Sequence, residues 1–138
     1  MLFHLVIHKD IDSTYGVTIP ALAGCFSFGD TLEEATRNSK EAISLHLEGF
    51  LNDDLEPEIS PISFDEILEN PDYQNAIYIA VEVDISAYTL KPERFNVSWP
   101  KYLIKQIDQF TAKNHDNRSN FLAKAAKAYI NAHESDKD

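Results

Sequence analysis

Residues 94–99 alternate polar and apolar side chains, and Pro100 then opens a helical pattern. A period of two places successive side chains on opposite faces of a strand. The polar face carries Arg94, Asn96 and Ser98. The apolar face carries Phe95, Val97 and Trp99. A lone strand of this size is not stable in water, so the segment requires a partner strand, most simply the same segment of a second chain.

Two amphipathic helices are predicted after this strand. Pro100 suits the first helical position, where its missing N–H is no loss, and this helix is expected to run to about residue 114. A second helix is predicted from Arg118 to about residue 133, with Asn117 as its N-cap. Their apolar positions are Leu103, Ile104, Ile107, Phe110, Phe121, Leu122, Ala125, Ala128 and Tyr129. So short a segment cannot bury this surface alone, which predicts an intertwined homodimer.

The first 90 residues predict an α+β domain whose first three strands form an antiparallel meander. The predicted elements are strands at 2–8, 15–19 and 25–28, a helix at 31–51, a short helix at 63–69 and a strand at 76–85. The long helix has Glu33 and Glu34 in its first turn, where acidic side chains interact favourably with the positive end of the helix dipole. A connector at 86–93 then separates two domains, residues 1–88 and 93–134.

The charge of the chain is divided unevenly between these parts. Residues 1–90 carry 3 basic and 17 acidic side chains, for a net charge of -14, and residues 91–138 carry 9 and 6, for +3, which together give the total of -11. DNA affinity depends largely on Lys and Arg that neutralise phosphates. An acidic module joined to a basic one is therefore indicated, although a chance skew between solvated faces stays open.

Several classes of function find no support in the sequence. Cys25 is the only cysteine, which allows no internal disulfide and suits a reducing compartment. The five histidines lack metal-site spacing, and no nucleophile has an associated base, so we expect no metal, cofactor or catalytic residue. The apolar runs are too short for a membrane helix, and the N-terminus lacks a signal-peptide pattern. A cytoplasmic protein without membrane contact is predicted.

The order strand, helix, helix, with RFNVSWP at residues 94–100, resembles the Arc-like ribbon-helix-helix family of DNA-binding domains. The resemblance implies a homodimer or a higher oligomer, whose ribbon binds operator double-stranded DNA in the major groove. It places Arg94, Asn96 and Ser98 towards the bases, where such side chains can hydrogen-bond. It also places the start of the second helix on phosphate, because unpaired N–H groups there favour an anion. The matching residues are Asn117, Arg118, Ser119 and Asn120.

The segment YGVTIPALAGCFSFGDTLEEATRNSKEAISLHLEGF, residues 15–50, resembles the signature of the HicB antitoxin family. This resemblance implies a partial ribonuclease-H-like fold for residues 1–88. It also implies a type II toxin–antitoxin role, in which the chain neutralises a small, basic, mRNA-cleaving HicA toxin and represses its own operon. An acidic first domain suits a basic partner, because opposite potentials steer association.

Alternatives stay open at this stage. From alternation alone, the polar face of residues 94–99 is better explained as the solvated face of an edge strand, and the basic segment and the helix pair favour DNA contact. A freestanding repressor with a ligand-sensing first domain is the main alternative function. A residual nuclease would use Asp10, Asp12, Glu82 and Asp84, which do not converge in sequence as two-metal chemistry requires. Helix 31–51 and the loop at 52–72 are both open as the toxin-binding surface.

Overall fold

The computed structural model describes residues 1–134 and divides into two compact units, Met1–Pro92 and a second that begins at Glu93. The N-terminal unit has four strands, which are β1 (Leu2–Lys9), β2 (Tyr15–Thr18), β3 (Phe26–Gly29) and β4 (Ile77–Glu82). Its helices are α1 (Leu32–Asn52), α2 (Phe64–Glu69) and a 3₁₀ turn (Pro71–Tyr73). The C-terminal unit has α3 (Lys101–Lys113) and α4 (Arg118–Glu134).

The four strands form one antiparallel sheet in the order β3-β2-β1-β4. The register places Phe3 opposite Val81 and Ile7 opposite Val17, so their side chains share one face. That face is the core, and these residues are at most 5% exposed. The predicted α+β class and the meander of the first three strands are confirmed.

Helix α1 lies on the core face of the sheet. A stripe at helical spacing, made of Ala35, Ser39, Ile43 and Leu47, has no exposed surface. Thr31 caps the helix, since its Oγ1 accepts a hydrogen bond from the Glu34 N–H at 3.1 Å. At Gly29 an added Cβ would lie 2.3 Å from the Ala35 nitrogen, so glycine is what permits this close approach of helix and strand.

Helix α2 is held at its start by a capping box. Ser63 Oγ accepts from the Glu66 N–H at 3.2 Å, and Glu66 Oε2 accepts from the Ser63 N–H at 2.8 Å. The Phe64 ring then contacts His4 and Tyr78, with ring centroids 5.8 and 5.4 Å apart. These residues belong to the sheet face opposite the core, so α2 covers part of that second face.

Strand β4 is shorter than the strand predicted at residues 76–85. The Val83 N–H donates to the Met1 carbonyl at 3.0 Å, and the ladder ends there because β1 begins at Leu2. Hydrophobic alternation continues beyond that point, and Ile85 still packs partly against the core. The extent of the strand is therefore set by its partner.

Both predicted helices of the C-terminal unit are confirmed, with one correction at the first. Pro100 was predicted as its first helical residue, but its ψ of 144° is extended, and it is the N-cap before Lys101. Asn117 caps α4, because its Oδ1 accepts from the Asn120 N–H at 2.9 Å. Among residues 1–134 no helix is long and apolar enough to cross a membrane.

The strand predicted at residues 94–99 is not formed in the single chain. A strand needs a main-chain partner, and none is supplied by the part of the chain that the structure describes. Several predicted core positions are also exposed in the single chain, namely Phe110, Ala125, Ala128 and Tyr129. The missing strand and the exposed core positions have the same physical reason. One copy of this unit has too little surface to pair the strand or to cover these side chains.

The contact at Gly29 gives a stability prediction. Gly29→Ala should lower the free energy of unfolding by about 1–3 kcal/mol, because the added methyl group meets helix backbone that cannot move independently. Gly49→Ala is the matched control, since a Cβ there meets nothing within 4 Å. The control should raise stability by about 0.5–1 kcal/mol, as alanine does in helices. Urea denaturation followed by circular dichroism measures both, and equal midpoints would contradict the close approach.

Candidate functional site

The apolar side of residues 94–99 is directed to the helices of its own unit. Val97 and Trp99 line a cavity of about 120 Å³ with side chains from both helices. Its remaining lining residues are Ile104, Ile107, Arg118 and Leu122. Phe95 and Val97 line a neighbouring groove of about 610 Å³ along α4. The three apolar side chains therefore share one side of the segment, as the alternation predicts.

The polar side chains of the same segment are directed elsewhere. Arg94, Asn96 and Ser98 are exposed and make no hydrogen bond or ion pair within residues 1–134. A guanidinium, an amide and a hydroxyl thus lie within five residues of one another with their donors and acceptors open to a ligand. This set can hydrogen-bond base edges in the major groove.

The start of α4 presents unpaired main-chain donors. Its cap accounts for the Asn120 N–H, whereas the N–H groups of Arg118 and Ser119 have no acceptor in the described chain. Unpaired N–H groups and the helix dipole together favour a bound anion. Arg118 also lines the cavity beneath Val97 and Trp99, so this helix start lies beside the polar segment.

The Arg118 side chain has a partner on the other helix of its unit. Its Nε and Nη2 donate to the two carboxylate oxygens of Asp108, each at 2.7 Å. The hydrogen bond from Arg118 lowers the pKa of the Asp108 carboxyl and raises the pKa of the guanidinium. The pair joins α3 to α4. Because the Asn117 N–H donates to Asp116 Oδ1 at 2.9 Å, the free donors at the helix start within residues 1–134 are the N–H groups of Arg118 and Ser119. A ten-residue separation between helices gives no local sequence signal.

The four carboxylates considered for nuclease chemistry do not form a metal site. Glu82 accepts from the Met1 ammonium group at 2.7 Å, and Asp84 accepts from the Ser86 hydroxyl at 2.7 Å. Asp10 and Asp12 lie in the turn between β1 and β2. Within residues 1–134 no group of three or more metal-ligating side chains comes together. Glu82 and Asp84 are thus each paired with a group other than a second carboxylate.

The structure of the N-terminal unit also shows an open groove that the sequence did not indicate. It lies at the C-terminal end of α1 and has a volume of about 430 Å³. Its lining residues are Leu45, His46, Gly49, Phe50, Asp53 and Leu55, which we call the α1-end groove. The wall residues Leu45 and Leu55 are 66% and 55% exposed. The apolar periodicity of α1 predicts only its buried face, so this exposed face gave no signal.

Comparisons with known proteins agree with this architecture. A family model described as the HicB-like antitoxin of bacterial toxin–antitoxin systems matches residues 3–126. An uncharacterized 14.9 kDa protein from the rep–hol intergenic region of Haemophilus phage HP1 is 43% identical over 129 residues, which is 91% of this chain and 95% of the phage protein.

Two solved structures extend the comparison. The crystal structure of the Burkholderia pseudomallei antitoxin HicB is 40% identical, covers 91% of this chain and 96% of that one, and has a TM-score of 0.60. A chain in a structure of a HicA3 and HicB3 toxin–antitoxin complex is 24% identical over 61% of this chain and 99% of its own, with a TM-score of 0.53, and shows the fold alone. The family match extends over most of both units, and the chain therefore belongs to the HicB-like antitoxin family.

Proposed function

We propose that this chain is the antitoxin of a type II HicA/HicB toxin–antitoxin pair and the repressor of its own operon. Residues 1–88 bind and neutralise a small, basic, mRNA-cleaving toxin, and residues 93–134 form a dimer that binds operator DNA. The protein acts in the cytoplasm and performs no catalytic step. The observation that carries the proposal is the family match from residue 3 to residue 126.

Charge and precedent support the toxin-binding half. Residues 1–90 have a net charge of -14, and such a surface attracts a basic protein and suppresses wrong pairings. A related structure, of low identity to this chain, is a HicA3 and HicB3 complex. Binding that covers the active site of the toxin would block mRNA cleavage sterically, without any chemistry by the antitoxin.

The polar face of residues 94–99 supports the DNA-binding half. Arg94, Asn96 and Ser98 are unpaired and exposed, which suits base contacts. The free N–H groups of Arg118 and Ser119 suit a phosphate. Residues 91–138 also carry a net charge of +3 in an otherwise acidic chain, so the phosphate attraction is concentrated in this unit.

Unburied apolar surface supports the homodimer. No residue of α4 is buried in the single chain, and Tyr129 and Ile130 are 67% and 52% exposed. Phe95 is 81% exposed although it lies beside an apolar groove. A second copy would supply a partner strand for residues 94–99 and would cover these side chains, as obligate dimers do.

The polar face gives a prediction for DNA binding. Arg94→Ala and Asn96→Ala should each weaken specific operator binding by about 1–3 kcal/mol, because each change removes a base contact. Both variants should still form the dimer. Fluorescence anisotropy with operator and scrambled duplexes measures the specific part, and Lys113→Ala is the control for a general loss of positive charge. Unchanged operator affinity in both variants would exclude this face as the DNA contact.

The apolar face gives the complementary prediction. Phe95→Ala or Trp99→Ala should lower thermal stability and shift the protein towards monomer, since these side chains line the cavities over α3 and α4. Ser98→Ala changes the polar face of the same segment, and this variant should remain a dimer. Analytical ultracentrifugation compares the three variants. A stable dimer in both aromatic variants would contradict the assignment of the two faces.

The division of labour between the two units gives a third prediction. A chain of residues 93–138 should retain weakened operator binding and should not protect cells from the toxin. The full chain should do both, and co-purification with a small basic protein from native cells identifies the partner. Capture of the toxin by residues 93–138 would contradict the division. Absence of an adjacent gene for a small basic protein would instead favour a freestanding repressor.

A further inference from the structure

The α1-end groove contains a glycine that this chain does not itself require. Gly49 lies inside α1, its φ is not positive, and an added Cβ would meet nothing within 4 Å. Glycine in a helix interior is less stable than alanine by up to about 1 kcal/mol. Gly29 is different, since there the chain's own backbone excludes a side chain. An open surface at Gly49 is thus kept at the expense of helix stability.

The turn after α1 shows the opposite case, in which a residue other than glycine adopts a conformation that favours glycine. Asp54 has a φ of 57°, a left-handed conformation that favours glycine at the end of a helix. The Leu55 N–H then donates to the Phe50 carbonyl at 2.9 Å, which brings Leu55 back beside the helix as the second wall of the groove. Asp54 thus occupies a position that favours glycine, whereas Gly49 occupies a helical position that does not require glycine.

One lining residue of the groove has a buried polar atom without a partner in the described part of the chain. Nε2 of His46 is shielded from solvent and has no hydrogen-bond partner within residues 1–134. The imidazole packs edge-on against Phe50, with ring centroids 5.5 Å apart. A shielded polar atom without a partner is unfavourable, so a second residue of the groove, besides Gly49, lowers the stability of the chain itself.

The stretch of chain that forms the groove is acidic. Residues 41–90 contain 12 Asp and Glu side chains and no Lys or Arg. Asp53 lines the groove, and Glu48 and Asp54 adjoin lining residues in sequence. Two copies joined through this same groove would place acidic side chains against acidic side chains, which is unfavourable. A basic protein is the complementary occupant.

We propose that the α1-end groove is the docking site for the toxin, which inserts an apolar side chain between Leu45 and Leu55 over Gly49. Lys or Arg side chains beside that apolar residue pair with Glu48, Asp53 and Asp54. This assignment rests on the proposed antitoxin function. It places the contact on α1 and on the first residues of the loop that follows it.

The test uses the full-length protein and purified, catalytically inactivated HicA toxin in titration calorimetry. Gly49→Gln fills the groove, and we expect its affinity for the toxin to fall about tenfold or more. Leu45→Ser removes one apolar wall, and a fall of about fivefold is expected. Lys40→Gln is the matched control on α1, because Lys40 is exposed and does not line the groove, and its affinity should stay within about twofold.

Two further measurements separate the possible results. Thermal melting should show Gly49→Gln at least as stable as the wild type, because glutamine favours helix over glycine. Asp53→Asn should slow association with the toxin and reduce its dependence on salt, as loss of a rim charge does. A groove that only shaped the helix end would change melting and leave the association rate unaltered.

Each outcome has a distinct meaning. If the wild type does not bind HicA, the antitoxin function fails and the docking site fails with it. If the wild type binds and Gly49→Gln and Leu45→Ser bind equally well, the groove is not the docking site and the antitoxin function stands. If Gly49→Gln instead changes the oligomeric state of the protein without toxin, and toxin binding is preserved, the groove is an interface between copies. The assignment as a docking site is then overturned.

Discussion

The close approach of α1 to β3 at Gly29 is the contact on which the N-terminal unit depends. It allows the stripe from Ala35 to Leu47 to lie flat on the sheet and to bury without exposed surface. The Ser60 N–H then donates to the Ala21 carbonyl at 2.8 Å, which ties the loop after α1 to the turn beyond β2. With its inner face packed on the sheet in this way, α1 leaves the outer face at its C-terminal end accessible.

The two units differ in how far one chain can complete them. The N-terminal unit has a core from both layers, in which Phe3, Leu5 and Leu47 have no exposed surface. In the C-terminal unit Ile107 and Thr111 are the only buried residues among those described. The first unit can therefore present a formed binding surface as a monomer, whereas the second leaves apolar side chains exposed that the proposed association would cover. An antitoxin built this way would couple DNA binding to protein concentration and leave toxin capture independent of it.

Local patterns were sufficient for most of the fold. The helix predicted at 31–51 forms at Leu32–Asn52, because its apolar spacing and its Thr31 cap are both local signals. Pairing was not local, and so β4 ends at Glu82, where its partner runs out, although the alternation continues. The 3₁₀ turn at Pro71–Tyr73 was not predicted either, since Pro71 indicates only the end of the preceding helix.

The candidate site could be predicted only in part, and for related reasons. Alternation identified the polar face of residues 94–99, but the bidentate Asp108–Arg118 pair joins helices ten residues apart. The α1-end groove depends on the open space over Gly49 and on the returning chain at Leu55, and neither is encoded as a periodic pattern. The spacing of apolar residues predicts which side chains are buried, and it does not predict where a groove is left on the surface.

The single tryptophan of the chain lies in the unit that one copy leaves incomplete. Trp99 is 39% exposed and lines the cavity between the polar segment and the helices. Its indole is thus partly hydrated in one chain, and a second chain laid along the same segment would dry it. Because the chain has no other tryptophan, indole emission excited selectively over its six tyrosines comes from this one position, and it would report the association of two copies without a label.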